Sequence, residues 1–287
     1  MKVFLTGGSG YVGRPTVRAL VSHGHDVTAL ARSAASADVV TQLGAQPVHG
    51  ALTDTDVLRE AAAAADAVIH LGVEYSDDTA LVDRNAAEAL QDGLGDRGPY
   101  VHTGGVWVYG NTDGVVGEDA PLNPPRITSW RAANEGRVLA HGGHPVIVMP
   151  GLVYGHHAGL IEMFFAAPAR AAGAVPVIGD GANHWALVHA DDIAELYVLA
   201  LGAAPKSVYA GVSGQNVPLA DIVESLTHAE GIPGQVERLT EAEAEARMGP
   251  IAEAFALDQR LTPDRARREL SWTPRHLDAL TELRVPK

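Results

Sequence analysis

Lys2-Val-Phe-Leu-Thr-Gly-Gly-Ser-Gly-Tyr-Val-Gly13 opens the chain with a short apolar run that passes directly into a run of glycines. The apolar residues 3–5 predict a buried parallel strand, and the glycines predict a tight turn that leads into a helix. In such a turn Gly7 permits the backbone conformation, Gly10 lets the main chain approach a pyrophosphate, and Gly13 lets the helix pack closely on the strand. The free N–H groups of a helix N-terminus attract an anion. The stretch therefore predicts a phosphate-binding turn, and an ordinary glycine-rich turn is the alternative.

The composition is that of a globular protein with a large core. The 287 residues are 46% hydrophobic and include no cysteine, which excludes disulfides and thiolate chemistry and fits a reducing compartment. The formal net charge is 21 − 35 = −14, so the surface repels nucleic acid and anionic lipid. Since no secretion signal precedes the first strand and no long apolar run is present, we expect a cytoplasmic protein without nucleic-acid or membrane partners.

Strands and helices alternate through the first half of the chain. After the first strand, five further apolar segments of strand length are separated by helical segments with short connections. This alternation is typical of an α/β protein with a Rossmann fold, a doubly wound parallel sheet. The predicted strands after the first are 26–31, 45–49, 67–71, 100–103 and 145–149.

Seven short motifs follow one another along nearly the whole chain. They are Thr6-Gly-Gly-Ser-Gly-Tyr-Val-Gly13, Val68-Ile-His-Leu71, Asn85, Val108-Tyr-Gly110, Pro150-Gly-Leu-Val-Tyr-Gly155, His189-Ala-Asp-Asp192 and Leu270-Ser-Trp-Thr-Pro274. In this order and spacing the chain resembles the extended short-chain dehydrogenases/reductases of the NAD-dependent epimerase/dehydratase kind, represented by UDP-galactose 4-epimerase. The resemblance implies a dinucleotide-binding Rossmann domain over residues 1–153, with return segments near 186–212, and a smaller, mainly substrate-binding domain over residues 154–287.

The resemblance also implies which residues contact a dinucleotide. Most of them belong to the glycine run or follow the carboxyl ends of the parallel strands, where ligands gather in sheets of this type. The expected contacts are Thr6, Gly7, Gly10, Tyr11, Val12, Gly13, Arg32, Ser33, Leu52, Leu71, Gly72, Thr103, Asn134, Pro150 and Val153.

The end of the second strand favours one dinucleotide over the other. The family usually has an Asp there that binds the adenosine ribose, whereas this chain has Ala31 followed by Arg32 and Ser33. An acid would repel a 2′-phosphate, and an arginine holds one with charge-assisted hydrogen bonds. We therefore expect NADP(H) to be favoured over NAD(H), and the alternative is that Arg32 is a solvated loop residue. Ala51 stands where relatives often have an Asp that faces the adenine, which leaves adenine recognition open.

The catalytic positions of the family are not retained. Its chemistry uses a Ser or Thr, a Tyr and, four residues after that Tyr, a Lys that lowers the pKa of the phenol. The corresponding residues here are Gly105, Trp130 and Asn134, and none of them can take over these roles. A shifted alignment does not restore the pattern, because no lysine lies between Lys2 and Lys206. The resemblance therefore implies the fold and the cofactor but not the proton-transfer mechanism.

Three residues are candidates for the roles that the family's Ser or Thr, Tyr and Lys have in catalysis and ribose binding. Tyr75 follows the fourth strand at the edge of the sheet where ligands gather, and Thr103 ends the fifth strand in the same crevice. Asn134 could bond the ribose in place of the family's lysine, while Trp130 would form an apolar wall of the site. The alternative for Tyr75 is that it also forms only a wall of the pocket. His102 alternates with Thr103, so one of the two is expected to point into the core.

Several other polar residues suggest structure rather than chemistry. His156 and His157 are adjacent on a loop, a poor arrangement for chelation, and no nearby acid completes a ligand set, so we expect no metal site. Asp191 or Asp192 is expected to cap the helix that begins near Ile193.

These observations lead to three hypotheses for function. The first is an NADP(H)-dependent oxidoreductase, an atypical short-chain reductase that acts on a small, fairly apolar carbonyl or enone substrate with a nonstandard proton donor. The second is a sensor or regulator that binds NADP(H) without turnover, and the third is a non-redox isomerase or cyclase on the same fold. The alanine-rich helices 80–94 and 130–140 also suggest a homodimer, with packing on the chain's own sheet as the alternative.

Overall fold

A computed structural model describes all 287 residues of the protein. In chain order its strands are β1 (Lys2–Thr6), β2 (Asp26–Ala31), β3 (Gln46–His49), β4 (Ala67–His70), β5 (Pro99–Thr103), β6 (Val115–Val116), β7 (His144–Pro150), β8 (Leu152–Tyr154), β9 (Val175–Ile178), β10 (His184–His189), β11 (Val208–Gly211), β12 (Gln215–Pro218), β13 (Val236–Leu239) and β14 (Arg260–Leu261). The bounds predicted for the strands of the first half differ from these by at most one residue.

The helices are mostly short and lie on both faces of the main sheet. They are α1 (Gly13–Ser22), α2 (Ala34–Gln42), α3 (Thr55–Ala63), α4 (Thr79–Leu94), α5 (Ser129–Ala140), α6 (Gly159–Ile161), α7 (Ala167–Ala172), α8 (Ala190–Ala200), α9 (Leu219–Ala229), α10 (Glu241–Met248), α11 (Ile251–Phe255), α12 (Asp264–Leu270) and α13 (Ala279–Leu283). A π-helical turn, Glu162–Ala166, joins α6 to α7, and 3₁₀ turns cover Val106–Tyr109 and Arg126–Thr128.

Seven strands form one sheet in the order β11-β7-β5-β4-β1-β2-β3. Every pairing in this sheet is parallel, so the predicted doubly wound α/β fold is confirmed. The seventh strand, β11, pairs with β7 and extends the six strands predicted from the first half. The strand order changes direction between β1 and β4, and a crevice for ligands opens at the carboxyl ends of the strands at such a point.

Alternate residues of β1 fill cores on the two faces of this sheet. Val3 and Leu5 pack with residues of α1 and α8 on one face, whereas Phe4 packs with residues of α3 and α4 on the other. All three side chains are completely buried. Burial of one such side chain stabilises a fold by about 1.5–3 kcal/mol, so β1 holds layers of helices against both faces of the sheet.

Five of the remaining strands form two smaller sheets around a third core, and β6 pairs with β14 beside the second core. β8, β10 and β12 form one sheet, and β9 pairs with β13 in another. Phe165 meets Trp185 and Phe255 edge-on in this core. The domain boundary predicted at residue 153 falls inside β8. None of the helices combines the length and the apolar character needed to cross a membrane.

The segment that follows α12 is held against α8 by a buried aspartate. Asp192 is 4% exposed, and its two carboxylate oxygens accept hydrogen bonds from the amides of Arg275 and His276, each at 2.9 Å. The indole of the buried Trp272 donates to the Asp192 carbonyl at 3.1 Å. One carboxylate therefore satisfies two main-chain donors of the carboxyl-terminal segment.

The start of α8 differs from its prediction. The helix begins at Ala190, three residues before the expected start, and its N-cap is His189, whose Nδ1 accepts from the amide of Asp191 at 3.1 Å. The expectation that Asp191 or Asp192 caps the helix is therefore wrong. Because Asp192 lies inside the first turn, its side chain is directed away from the helix amides and toward the carboxyl-terminal segment.

We expect Asp192→Ala to lower the free energy of unfolding by about 2 kcal/mol or more, because two main-chain amides lose their acceptor. Denaturant unfolding followed by circular dichroism measures this difference. Glu88→Ala on the exposed face of α4 is the control, and it should change the free energy by less than about 0.5 kcal/mol. Equal effects of the two substitutions would contradict the role given to Asp192.

Candidate active site

The glycine run forms a turn between β1 and α1 that leaves no room for a side chain at Gly7 or Gly13. Gly7 has a φ of +74°, and a Cβ on it would lie 2.8 Å from the amide nitrogen of Gly72, just after β4. A Cβ on Gly13 would lie 2.0 Å from the carbonyl oxygen of Gly7. Contacts this short do not occur for real side chains, so both positions require glycine. The turn therefore offers a ligand its bare main chain.

Helix α1 begins beside this turn without a side-chain cap. Its N-cap residue, Val12, has no polar atom in its side chain, and no acid lies in the first turn. The amide of Gly10 donates to the carbonyl of Gly7 at 3.0 Å, which closes the turn. The first amides of a helix carry partial positive charge and need acceptors. The amides of Tyr11, Val12 and Gly13, unlike that of Gly10, have no acceptor in the protein and thus suit a pyrophosphate.

Tyr11 joins this turn to the segment that follows β8. Its hydroxyl donates to the carbonyl of Gly155 at 2.9 Å, and a Cβ on Gly159 would lie 2.4 Å from its ring. Burial raises the pKa of Tyr11 well above its ordinary value, and the nearby carboxylates of Glu282 and Asp191 add to the shift. Tyr11 is therefore neutral and forms one wall of the turn.

Arg32 and Ser33 follow the carboxyl end of β2. Arg32 is exposed and forms neither a hydrogen bond nor an ion pair. Ser33 caps α2, since its hydroxyl accepts from the amide of Ser36 at 3.2 Å. Ala31 is buried and contributes no charge. An unpaired guanidinium at this edge of the sheet has the chemistry needed to bind a phosphate, and contact with a 2′-phosphate stays a prediction.

Thr6 shapes the crevice from inside the protein. It is completely buried, and its hydroxyl accepts from the amide of Gly72 at 3.0 Å and bonds Nδ1 of His70 at 2.6 Å. Its side chain therefore has no surface for the predicted contact with a dinucleotide. Gly72 lies against Leu52, because a Cβ on Gly72 would lie 3.1 Å from a methyl group of Leu52. Leu71, half-buried, lies between Gly72 and the end of β4.

Thr103, Pro150 and Val153 occupy two different sheets. Thr103 ends β5 and pairs with Val148 of β7, and Pro150 ends β7. Their carboxyl ends are adjacent at the edge where the glycine turn lies. Val153 is half-buried in β8, where it pairs with Val188 of β10. Thr103 and Pro150 are therefore close neighbours, whereas Val153 belongs to the second sheet.

The positions that correspond to the lost catalytic residues hold no acid or base. A Cβ on Gly105 would meet nothing within 4 Å, so there is open space at the end of β5. Trp130 is half-buried, its indole donates to the Ile127 carbonyl at 3.1 Å, and the guanidinium of Arg131 lies 4.6 Å from its ring centroid. Tyr75 is 85% exposed in the loop after β4 and forms no hydrogen bond, so it does not line the crevice.

Thr103 is bonded to a residue that the sequence did not single out. Its hydroxyl lies 2.9 Å from the hydroxyl of Tyr197, which is completely buried on α8. Burial raises the pKa of Tyr197 well above its ordinary value, although the bond to Thr103 opposes the shift. Arg131 donates to the Thr103 carbonyl at 3.2 Å. As alternation predicts, the neighbouring His102 points into the core and is 1% exposed.

A buried polar layer of His70, Asp83, His102 and Asn134 lies between the sheet and helices α4 and α5. Asn134 donates to Asp83 Oδ2 at 2.8 Å, and the Nε2 atoms of His70 and His102 lie 3.7 and 3.9 Å from the Asp83 carboxylate. The second N–H of Asn134 bonds the Ala80 carbonyl at 2.9 Å. Both N–H groups of Asn134 are thus used inside the protein, and only its Oδ1 is left for the predicted ribose contact.

Burial controls the charges in this layer. It lowers the pKa of His102 to about 3, although the Asp83 carboxylate opposes the shift. The hydroxyl of Tyr100 lies 3.0 Å from Nδ1 of the same imidazole. Burial alone would raise the pKa of Asp83, but polar contacts with His70, His102 and Asn134 outweigh it and hold that pKa below its ordinary range. At neutral pH a carboxylate therefore faces the neutral imidazole of His102.

Asp83 was missed in the sequence although helical periodicity marks it. It shares a face of α4 with Ala87, Leu90 and Leu94, at steps of four, three and four residues, and all four are buried. An acid on the apolar face of an amphipathic helix predicts a buried polar partner.

A second buried acid, Glu135 of α5, was also missed. It is 4% exposed, lies three residues before the buried Val138, and its Oε1 has no hydrogen-bond partner. Burial raises the pKa of Glu135 to about 7, while the charge of Arg131 opposes the shift. The carboxyl packs against Gly104, at the carboxyl end of β5.

A cluster of histidines and acids lies at the N-terminus of α8. Ligand atoms of His156, His189 and Asp191 lie within 4.8 Å of one another, so the expectation that no acid is near these histidines is wrong. Nε2 of His156 lies 3.0 Å from Asp191 Oδ1, and Nε2 of His189 lies 3.0 Å from Glu282 Oε1. These atoms are therefore paired with each other, and hydrogen bonding accounts for the cluster.

A cluster of aromatic side chains begins at Trp107, two residues after Gly105 in the sequence. Trp107 and Phe164 both contact the ring of Phe255, with centroid distances of 5.8 and 5.5 Å. Phe255 is completely buried, whereas Trp107 and Phe164 are half-buried and expose part of their rings. The exposed parts of these two rings are apolar surface suited to stacking.

The sequence is similar to proteins of one enzyme family. A sequence model of the NAD dependent epimerase/dehydratase family matches residues 3–210. An uncharacterized protein of Saccharomyces cerevisiae is 30% identical over 303 residues, which cover 99% of this chain and 98% of the yeast protein. The 4-hydroxy-2-methyl-3-oxo-4-farnesyl-3,4-dihydroquinoline-1-oxide ketoreductase of Stigmatella aurantiaca is 30% identical over 324 residues, which cover 99% of this chain and 96% of that protein.

Solved structures share the fold over the whole chain. The dTDP-glucose 4,6-dehydratase of Streptomyces venezuelae, with NAD bound, superposes with a TM-score of 0.83 at 23% identity and covers 99% of this chain and 95% of that one. The UDP-glucose 4-epimerase of Thermus thermophilus, in complex with NAD, superposes with a TM-score of 0.80 at 20% identity. At this level of identity the likeness is one of fold.

We expect the neutral His102 to lower the stability of the protein as the pH falls from about 6.5, the ordinary pKa of histidine, to about 4, whereas Glu135, whose pKa burial raises to about 7, acts in the opposite direction. The unfolded chain protonates His102 in this range, whereas the folded protein keeps it neutral because burial lowers its pKa to about 3. The stabilisation is therefore complete above the unfolded pKa and is lost as the pH falls. One such group lowers the free energy of unfolding by up to about 1.4 kcal/mol per pH unit.

Denaturant unfolding at a series of pH values measures this slope. His102→Gln removes the titrating group. We expect it to lower the slope of the unfolding free energy against pH by up to about 1.4 kcal/mol per pH unit relative to the wild-type protein. His228→Gln, at an exposed position of α9 without an ion pair, is the matched control and should keep the wild-type slope. A slope that His102→Gln leaves unchanged would rule out a neutral, buried His102.

Proposed function

Because this chain belongs to the NAD-dependent epimerase/dehydratase family, we propose that it is an NADP(H)-dependent reductase of a small, fairly apolar carbonyl or enone compound. The family inferred from the seven motifs is confirmed, and NAD(P)-dependent oxidoreductase is the general class of the protein. The observation that carries the proposal is the tight glycine turn in front of an uncapped helix, beside an open space at the end of β5.

In the proposed complex, each part of the crevice contributes to coenzyme binding. The main-chain amides of residues 11–13 bind the pyrophosphate, and Arg32 binds the 2′-phosphate of NADP(H). Leu52 and Gly72 line the adenosine side. Thr103 and Pro150, at the ends of adjacent strands, contact the nicotinamide. When bound, a reduced nicotinamide supplies a hydride to the substrate carbon.

The charges of the second half of the chain favour an apolar substrate. Most basic side chains beyond residue 150 are already ion-paired, as Arg247 is with Glu237 and Arg170 is with Glu230. A nucleotide diphosphate needs free cations, and few are left on this side of the crevice. The exposed ring surfaces of Trp107 suit a flat, apolar molecule instead. The relative in Stigmatella aurantiaca is a ketoreductase, which supports a carbonyl group as the reacting centre.

The aromatic wall and the open end of β5 have complementary roles in this proposal. Trp107, Trp130 and Phe164 exclude water from the substrate, which strengthens every polar interaction inside the crevice. Gly105 leaves the space that a Ser or Thr fills in the family, and a substrate oxygen can enter it. The proton for that oxygen comes from a group other than the family's tyrosine.

A protein that binds NADP(H) without turnover is the second candidate function. The observation in its favour is that Gly105, Trp130 and Asn134 provide no acid, no base and no free N–H group at the family's catalytic positions. In this case the coenzyme site serves as a sensor of the reduced or oxidised dinucleotide.

We expect the protein to oxidise NADPH in the presence of at least one member of a panel of aryl ketones, aldehydes, quinones and enones. The fall in NADPH absorbance, with one reduced product per coenzyme by mass spectrometry, measures this turnover. Tight NADPH binding without turnover on any member would favour the sensor. Failure to bind either dinucleotide would favour a non-redox isomerase or cyclase.

We expect Arg32→Ala to weaken NADPH binding about 10- to 100-fold and to change NADH binding little, because a hydrogen-bonded charge pair contributes about 1.5–3 kcal/mol. Isothermal titration calorimetry with both dinucleotides measures the two dissociation constants. Arg18→Ala, at an exposed position later in α1, is the control for the loss of one positive charge. Equal losses for NADPH and NADH would contradict the 2′-phosphate contact.

A further inference from the structure

Glu135 lies where the carboxyl ends of β5 and β7 meet. A Cβ on Gly104 would lie 2.7 Å from Oε1 of Glu135 and 3.0 Å from Cγ of Met149. Gly104 follows Thr103 directly, and Met149 precedes Pro150 directly. The carboxyl is therefore in contact with the neighbours of the two residues proposed to contact the nicotinamide.

The carboxyl of Glu135 has no partner inside the protein. The residue is 4% exposed, its Oε1 is buried, and its side chain forms no hydrogen bond or ion pair. Arg131, one helical turn earlier, donates to the Thr103 carbonyl at 3.2 Å instead. A buried carboxyl without donors around it favours its neutral form, since no group compensates for the lost hydration of the carboxylate.

Three ionisable groups face this carboxyl from the elements around it. Arg131 on α5 favours the carboxylate, whereas Asp83 on α4 favours the neutral acid. Tyr109, in the 3₁₀ turn after β5, has its pKa raised well above its ordinary value by burial, so it is uncharged. Burial dominates over these charges and raises the pKa of Glu135 to about 7.

The other titratable groups near the end of β5 are poor proton donors at neutral pH. His102 is neutral, because burial lowers its pKa to about 3. The hydroxyl of Tyr197 is paired with Thr103, and burial raises its pKa. Tyr75 is exposed to solvent. Glu135 is the remaining acid, and it lies against Gly104, which directly precedes the open position at Gly105.

We propose that Glu135 is the proton donor for carbonyl reduction, an inference that rests on the proposed reductase function. Reduction of a carbonyl adds a hydride at carbon and a proton at oxygen. As the C=O double bond becomes a single bond, its oxygen takes the proton of the Glu135 carboxyl, and the alcohol is complete. The carboxylate that is left recovers a proton from water before the next turnover.

Infrared spectra of the coenzyme-free protein test whether Glu135 holds a proton near neutral pH. We expect the C=O stretch of one protonated carboxyl to disappear between about pH 6 and about pH 8 in the wild-type protein, and to be missing in Glu135→Gln. Glu88→Gln, at an exposed position of α4, should keep the wild-type band. The proposal is overturned if the band does not occur or if Glu135→Gln retains it.

Steady-state kinetics test whether that proton reaches the substrate. With NADPH and the panel carbonyl that the wild-type protein reduces, we expect Glu135→Gln to lower kcat about 100-fold or more while the dissociation constant of NADPH is unchanged. Wild-type kcat should fall as the pH rises through the Glu135 pKa of about 7, because a carboxylate has no proton to donate. Glu135→Gln should lose this pH dependence, and Glu135→Asp should keep it at a lower kcat.

The outcomes separate this inference from the reductase function itself. A wild-type kcat and pH profile in Glu135→Gln would overturn the role of Glu135 and leave the reductase function intact. NADPH binding without wild-type turnover would contradict the reductase function, and the role of Glu135 with it. Thermal unfolding shows whether Glu135→Gln folds. If it does not, the pH profiles of kcat for the wild-type protein and for Glu135→Asp test the inference instead. A wild-type kcat that does not fall above about pH 7 overturns the inference.

Discussion

The close approach of the glycine turn to the ends of β1 and β4 is the constraint on which the rest of the site depends. Gly13 lies over the carbonyl of Gly7, and Gly7 lies over Gly72, at distances that exclude any Cβ. This contact brings the N-terminus of α1 to the point where the strand order changes direction. Main-chain amides, rather than side chains, therefore face the crevice, and a dinucleotide can be held without a cluster of basic residues on a protein of net charge −14.

The polar groups beneath that crevice form a second constraint. A buried carboxylate is costly without donors around it; Asp83 accepts a hydrogen bond from Asn134 and lies 3.7 and 3.9 Å from the Nε2 atoms of two imidazoles. The side chain at the position of the family's lysine, Asn134, thus donates to Asp83 and to the Ala80 carbonyl. Asn134, at the position of the family's lysine, and the buried acid Asp83 therefore form one hydrogen-bonded unit. Glu135, the next residue of α5, has no such donor, and burial raises its pKa to about 7.

The strands of the main sheet were predictable within one residue, because buried parallel strands are short apolar runs that end at glycine, proline or polar residues. The glycine turn was predictable for a similar reason, since its conformation is a local property. The start of α8 was not, because His189 caps it in place of an aspartate. Asp192 was free to bind the amides of Arg275 and His276, more than 80 residues away in the sequence, and no local pattern specifies such a partner.

The sequence alone determined the doubly wound sheet, the need for glycine in the turn, the absence of the family's catalytic tyrosine and lysine, and the exposed arginine after β2. These are properties of residue type and local spacing. Only the tertiary structure decided that Asn134 bonds Asp83, that Thr103 bonds Tyr197, and that Glu135 lies unpartnered against Gly104. The physical reason is that the charge of a buried acid depends on which donors surround it, and those donors come from distant parts of the chain.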